Sequence, residues 1–104
     1  MNNYKNVNVD KLANIYFDGQ VISRNIFLQD GSKKTLGVML IGEYEFKTLS
    51  KEVMEIVSGK LYYKIEGADN WQLIKEGMSF NIPKKLSFKV KVIELVNYSC
   101  SYLD

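Results

Sequence analysis

From residue 87 onward the chain alternates. In SFKVKVIELVNYSCSYL the even positions Phe88, Val90, Val92, Val96, Tyr98, Cys100 and Tyr102 are apolar or aromatic, with Glu94 the one interruption. Lys89, Lys91, Asn97, Ser99 and Ser101 take the other parity. Successive side chains of a strand point to opposite faces, so a period of two predicts strand: two of them here, or one that bends. Ile93, Leu95 and Leu103 fall among the polar positions. A strand with one wet face does not carry such residues there, so this second apolar set needs another sheet or a second subunit.

The rest of the chain reads the same way. Residues 1–10 form a polar, Asn-rich arm, and residues 11–104 a single domain. IYFDGQVISRNIFLQDGSKK contains Asp18-Gly19 and Asp30-Gly31 between β-rich runs, the dipeptide that most often reverses a hairpin. TLGVMLIGEYEF follows, interrupted by Gly37 and Gly42, and glycine within a strand pattern marks a bulge or a close backbone approach. EVMEIVSGKLYYKIEG and WQLIKEGMSFNIP are each broken by a glycine turn. LSKEVMEIV competes as a helix with Ser50 as its N-cap. The Gly59 turn and the β-rich run after it favour strand. Many short strands with few helical windows predict an all-β sandwich or barrel.

Composition narrows the function classes. At 104 residues, 46% hydrophobic and 25% charged, the chain is one globular domain with a real core. No apolar run approaches the roughly 20 residues of a membrane helix, and MNNYKNVNVDK lacks the basic-then-apolar pattern of a signal peptide. A cytoplasmic protein without a membrane partner is expected. A net charge of +2 gives no electrostatic case for nucleic acid. The single cysteine, Cys100, lies in the alternating apolar set and reads as a small buried residue. There is no histidine anywhere, so a Cys–His nucleophile is excluded.

Glu52, six residues, then Gly59 resembles the end of the first cupin motif; Gly77, five residues, then Pro83 resembles the start of the second. Where metal-binding cupins place histidines, this chain offers Phe46, Thr48, Lys85 and Lys89, none of which suits a transition metal. The wider resemblance is to the pyrimidine/purine nucleoside phosphorylase family, small single-domain cupins. It is carried by YFDG (16–19), TLGVMLIGEYEF (35–46), EVMEIVSG (52–59), DNWQ (69–72), GMSFNIP (77–83) and YSCSYL (98–103). The resemblance implies a cupin-type β-barrel, a double-stranded β-helix of jelly-roll kind. It also implies phosphorolysis: a purine or pyrimidine nucleoside plus phosphate gives free base and ribose 1-phosphate. Relatives often carry lysine after the YFDG-type glycine; this chain has Gln20.

Such a reaction needs an anion site, a group that tolerates positive charge on the sugar, and donors for the departing base. Preorganised donors can supply this without a metal or other cofactor, with phosphate as co-substrate. Arg24, the sole arginine, is the expected bidentate phosphate clamp, and Lys34 the second phosphate candidate. Glu43 and Glu45 share one face of a strand and are candidates to bind ribose hydroxyls or stabilise an oxocarbenium-like sugar, the catalytic role. Glu52 and Glu55 have opposite parity, so a regular strand turns at most one inward. Tyr44, Tyr98 and Tyr102 are candidates to hold the nucleoside by stacking or hydroxyl donation, against the alternative of core packing. Trp71, after GADN, is a pocket cap or a turn anchor. The rival reading is a non-catalytic cupin that binds a sugar or nucleotide. The uncovered apolar parity of the last segment, with the habit of cupins to pair, predicts a homodimer.

Overall fold

The computed structural model describes residues 3–103. Nine strands form one antiparallel sheet: β1 (Asn8–Val9), β2 (Asn14–Tyr16), β3 (Val21–Phe27), β4 (Lys33–Met39), β5 (Gly42–Lys47), β6 (Lys51–Ile65), β7 (Gln72–Lys75), β8 (Ser79–Ile82) and β9 (Ser87–Leu103). The segment open to a helical reading is the start of β6, a strand of 15 residues. The C-terminal alternation is a single strand of 17 residues. No helix of the described residues is long and apolar enough to cross a membrane.

Two long strands organise everything else. β6 and β9 pair along most of their length, from Lys51↔Leu103 to Ile65↔Phe88. Each belongs to two half-sheets. The ends of β9 and β6 near Tyr98 and Met54 sit between β4 and β8, with β3 outside β4. Their other ends, near Val90 and Tyr63, sit between β5 and β7. The two halves share one core: Val21, Met39, Ile56 and Val96 from the first pack in the same cluster as Tyr44, Leu61, Ile74 and Val90 from the second. They close through side chains rather than a continuous ladder, leaving free edges, in the cupin-type arrangement expected.

The turn between the halves is a bulge. The β6–β9 register slips three times between Ile56 and Leu61. Before the slip the buried positions of β6 are even, Met54 and Ile56; after it they are odd, with Leu61 buried. An extra residue flips parity, which keeps the inner face inward as the strand bends. Gly59 sits at the slip with φ +94°, and a Cβ there would stand 2.1 Å from the Leu95 carbonyl oxygen. Only glycine fits.

Both Asp-Gly reversals occur. The second closes β3 onto β4, with the Gly31 N–H donating to the Leu28 carbonyl at 3.0 Å and Ser32 N–H to the Asp30 carboxylate at 2.8 Å. Those Ser32 contacts hold the Asp30 carboxyl below its ordinary value. The first is a tight 3-10 turn, Phe17–Gly19, in which Phe17 and Asp18 both have positive φ, 53° and 55°. In the N-terminal arm, Asn8–Val9 pair with Phe27 and Ile26, and the Tyr4 hydroxyl meets Ser99 Oγ at 2.7 Å.

Candidate functional site

At one mouth of the barrel the half-sheets part to leave a cleft of about 430 Å³, within the size range of small-molecule sites. Alternation decides what lines it. From β6 come Glu52 and Met54, from β9 Phe88, Tyr98, Cys100 and Tyr102. β3 gives Ser23, β4 gives Lys33 and Met39, and β5 gives Phe46 and Lys47. Tyr16 and the loop residues Leu49 and Ser50 form the rim. That loop is tied down by Thr48, whose buried hydroxyl donates to the Pro83 carbonyl at 2.7 Å.

The floor is a polar cluster within apolar walls. The Cys100 thiol points at Glu52 Oε1, 3.5 Å away. The Tyr102 hydroxyl meets Thr35 Oγ1 at 3.0 Å, and the Lys33 ammonium lies 4.9 Å from the Tyr102 ring centroid. Burial dominates the protonation of this group. It pushes the Glu52 carboxyl above its ordinary value, against the thiol contact and the Lys33 charge, which pull it down. Burial, then the Glu52 charge, pushes the Cys100 thiol up to about 12. Burial pushes the Tyr98 hydroxyl up to about 12, against a Ser23 contact, and raises Tyr102 as well. At neutral pH the floor therefore presents neutral O–H and S–H donors around one carboxyl group. Ser23 is itself held by Asn14, at 3.2 Å, in a side-chain chain that continues to Asn25 and Asp10.

Tyr98 and Tyr102 stand in the cleft as the sequence suggests; the other candidates lie elsewhere. Tyr44 is buried behind it, its hydroxyl donating to the Leu40 carbonyl at 2.7 Å with Gln20 Oε1 also within 3.1 Å. Glu43 and Glu45 are exposed on the outer face of β5, because Tyr44 and Phe46 take the inner one. Arg24 is exposed on the outer face of β3, whose inner positions are Val21 and Ser23. Lys34 likewise faces out, donating to Ser101 Oγ at 2.9 Å near the Tyr4 ring. Its neighbour Lys33 shares parity with buried Thr35 and Met39 and reaches the cleft. Trp71 is not part of the cleft; Lys64 and Lys91 lie 5.2 and 4.6 Å from its ring. Lys33, Lys47 and Ser23 are among the lining residues that sequence reasoning missed. The alternation of TLGVM, extended one turn backwards, was the signal for Lys33.

The donor set does not fit a cupin metal. Among the described residues no three His, Cys, Asp or Glu side chains converge. The cleft offers one carboxyl and one thiol whose proton burial retains, where a transition metal needs thiolate or imidazole.

Fold and site together define a small, histidine-free cupin-type protein with a small-molecule-sized cleft lined by two lysines and by hydroxyl donors. The chain matches the family model for pyrimidine/purine nucleoside phosphorylase over residues 11–102, and it belongs to that family. A Geotalea uraniireducens protein named pyrimidine/purine nucleoside phosphorylase is 53% identical over 104 residues, the whole of both chains. A crystal structure of a protein of unknown function from an Acinetobacter species is 37% identical and superposes with a TM-score of 0.94, over 97% of this chain and 98% of that one. A Thermotoga maritima structure at 22% identity and TM-score 0.60, covering 65% of this chain and 76% of that one, shares the fold alone.

Proposed function

We propose that this protein is a metal-free nucleoside phosphorylase that works in the β6–β9 cleft. It takes purine and pyrimidine ribonucleosides with inorganic phosphate and releases free base and ribose 1-phosphate, a pentosyl transfer. The observation that carries this reading is the end-to-end identity with a relative of that name. The cleft supports it chemically. As the bond from C1′ to the base nitrogen breaks, its electron pair leaves with the base, and a phosphate oxygen forms the new bond to C1′. Lys33 and Lys47 are the lining cations and would hold the phosphate; such charge-assisted contacts are the stronger kind of hydrogen bond. Tyr98 and Tyr102, whose protons burial retains, would donate to the base as negative charge grows on it. Phe46, backed by buried Phe88 with ring centroids 5.4 Å apart, gives an aromatic side that would suit either class of base. Holding both reactants in one cleft can itself lower the barrier by about 7–11 kcal/mol in the best-oriented cases.

The test is release of free base from a panel of purine and pyrimidine nucleosides, with and without phosphate, before and after exhaustive chelation. Base release that requires phosphate and survives chelation is expected. Base release without phosphate would make the protein a hydrolase, and none under any condition would favour a binding cupin.

A further inference from the structure

We infer that Phe17 is a positioning residue for the cleft: its ring, seated on Tyr44 and Phe46, holds the strained turn after β2 so that Tyr16 stands at the rim and Phe46 on the wall before a nucleoside arrives. This rests on the nucleoside reading above and adds to it a residue that touches no reacting atom. Phe17 and Asp18 have φ of 53° and 55°, and Gly19 continues at 90°. A positive φ is uncommon outside glycine, and in a bulky residue it marks strain that the surroundings must hold. Burial does not hold it here, since Phe17 is 43% exposed and no residue of the turn is buried. No side-chain hydrogen bond caps the start of the turn either. The ring supplies the anchor. It tilts against Tyr44 at a centroid distance of 5.0 Å and meets Phe46 edge-on at 5.6 Å, the geometries that aromatic pairs prefer. The far end of the turn is tied by the main chain: Gln20 N–H donates to the Phe17 carbonyl at 3.1 Å, and Leu40 N–H to the Gln20 carbonyl at 2.9 Å. The Tyr44 hydroxyl donates to the Leu40 carbonyl at 2.7 Å, so the residue that seats the ring also ties the chain end behind it. Tyr16 and Phe46 line the cleft, whereas Phe17 does not. One peptide bond joins Phe17 to Tyr16 and one ring contact joins it to Phe46, so a shift of the ring reaches both. Strain of this kind persists beside ligand sites because it keeps a binding surface preformed, which spares the ligand the cost of ordering it.

Two readouts test this in the wild type, Phe17→Ala, Phe17→Leu and Phe17→Tyr. Hydrogen exchange at the Gln20 and Leu40 amides reads the anchor without substrate. Phe17→Ala should speed it by about 10-fold or more, the loss of two aromatic contacts, while the amides of β6 and β9 exchange as in the wild type. Steady-state kinetics on inosine and uridine, with phosphate varied, read the consequence. KM for both nucleosides should rise about 10-fold in Phe17→Ala and about threefold in Phe17→Leu. Over the same variants kcat should stay within about threefold and KM for phosphate within about twofold, the pattern of lost binding rather than lost chemistry. Phe17→Tyr keeps the ring and should stay within about twofold of the wild type in every constant. A ring that merely stabilises the hairpin would, when lost, lower the folded fraction, which cuts the apparent kcat and leaves both nucleoside KM values unchanged. That result overturns the inference, and so does unchanged amide exchange. Should Phe17→Ala not fold, Phe17→Leu decides by the same comparison. If the wild type turns over no nucleoside, the phosphorylase reading fails by itself, and the exchange experiment still decides the anchor, with unchanged Gln20 and Leu40 amides overturning it.

Discussion

Replacing Gly59 with alanine tests the bend that makes the cleft. Two separate penalties arise there. The backbone has φ +94°, a region that side chains rarely adopt, which costs about 1–2 kcal/mol for a residue with a Cβ. The Cβ would also lie 2.1 Å from the Leu95 carbonyl oxygen and 2.9 Å from the Val96 Cα. Those are main-chain atoms of the paired strand and cannot rotate away, so overpacking adds about 2–3 kcal/mol. The sum, about 3–5 kcal/mol, is a large share of the roughly 5–15 kcal/mol that holds a domain together. At about 4–8 °C per kcal/mol for a domain of this size, Tm should fall by about 12–40 °C. Gly67→Ala is the control: its φ is +85°, but nothing lies within 4 Å of the added carbon, so it carries the backbone cost alone and should lose about 4–16 °C, at the same conversion well under half of the Gly59 loss. Thermal unfolding followed by far-ultraviolet circular dichroism, with urea midpoints as a second measure, compares the two. Equal losses would show that β9 yields freely at Leu95 and that the close approach does not fix the bend.

Three further outcomes follow from the site. Lys33→Ala should raise the KM for phosphate by about 10-fold or more, the loss of one charge-assisted contact, while Arg24→Ala, on the outer face, leaves it within about twofold; the reverse result would move the anion site to the outside of β3. Glu52 has a raised pKa through burial, facing Lys33 from β4, Lys47 from β5 and Cys100, Tyr98 and Tyr102 from β9. A raised carboxyl favours folding with its proton on, so its contribution is intact below the ordinary value of 4.5 and lost as pH rises through the folded value. Glu52→Gln should therefore raise Tm at pH 8 and leave it unchanged near pH 3.5, and a variant less stable at pH 8 would refute the sign. Ile22, Leu36, Leu95 and Val57 are 37–50% exposed on outward parities, so light scattering should give a homodimer, about twice the 12.0 kDa of one chain; a mass of one chain on dilution and concentration alike would show that this face stays wet.

Alternation made most of the fold legible. The even set of β9 is buried from Phe88 to Cys100 apart from Glu94, which the period alone required, and Glu94 instead pairs with Lys60 across the bend at 3.2 Å. The strand reading of LSKEVMEIV followed from what came after it. The bulge was less legible, because Gly59 reads as a turn when seen alone, and only the β9 register shows that the chain continues straight through it as strand. Parity made part of the site legible, though not Lys47, which shares the outward parity of Glu43 and Glu45 and reaches the cleft from the end of β5. Tyr98 and Tyr102 sit on the inward set and reach the cleft. Glu43 and Glu45 are attractive side chains for phosphorolysis, but they occupy the parity opposite buried Tyr44, and Lys34 that opposite buried Thr35 and Met39; Arg24 shares its parity with exposed Ile22 and also with buried Ile26, so parity alone does not place it. Glu52 shares its parity with buried Met54 and so points inward, but the sequence left open which of Glu52 and Glu55 does so.

That glutamate is better understood through what surrounds it. In a metal site a carboxylate is spent on the ion, and the imidazoles beside it fix its orientation. Here the neighbours are a thiol and tyrosine hydroxyls that burial keeps protonated, with one lysine close enough to temper the carboxyl's own shift. None of them satisfies Glu52 fully, and none competes for the open mouth. Removing histidine from such a cleft therefore does not leave it inert. It leaves one carboxyl, hydroxyl donors and two lysines lining a single cleft, a set able to meet neutral and anionic groups by hydrogen bonds and charge without an ion. The division depends on the bend at Gly59, because only there does β6 exchange even for odd inward positions, keeping Glu52 on the inner face of one half-sheet and Tyr63 on that of the other. A carboxylate on an unbent strand would face the same core that β7 and β8 cover, with no mouth to open into.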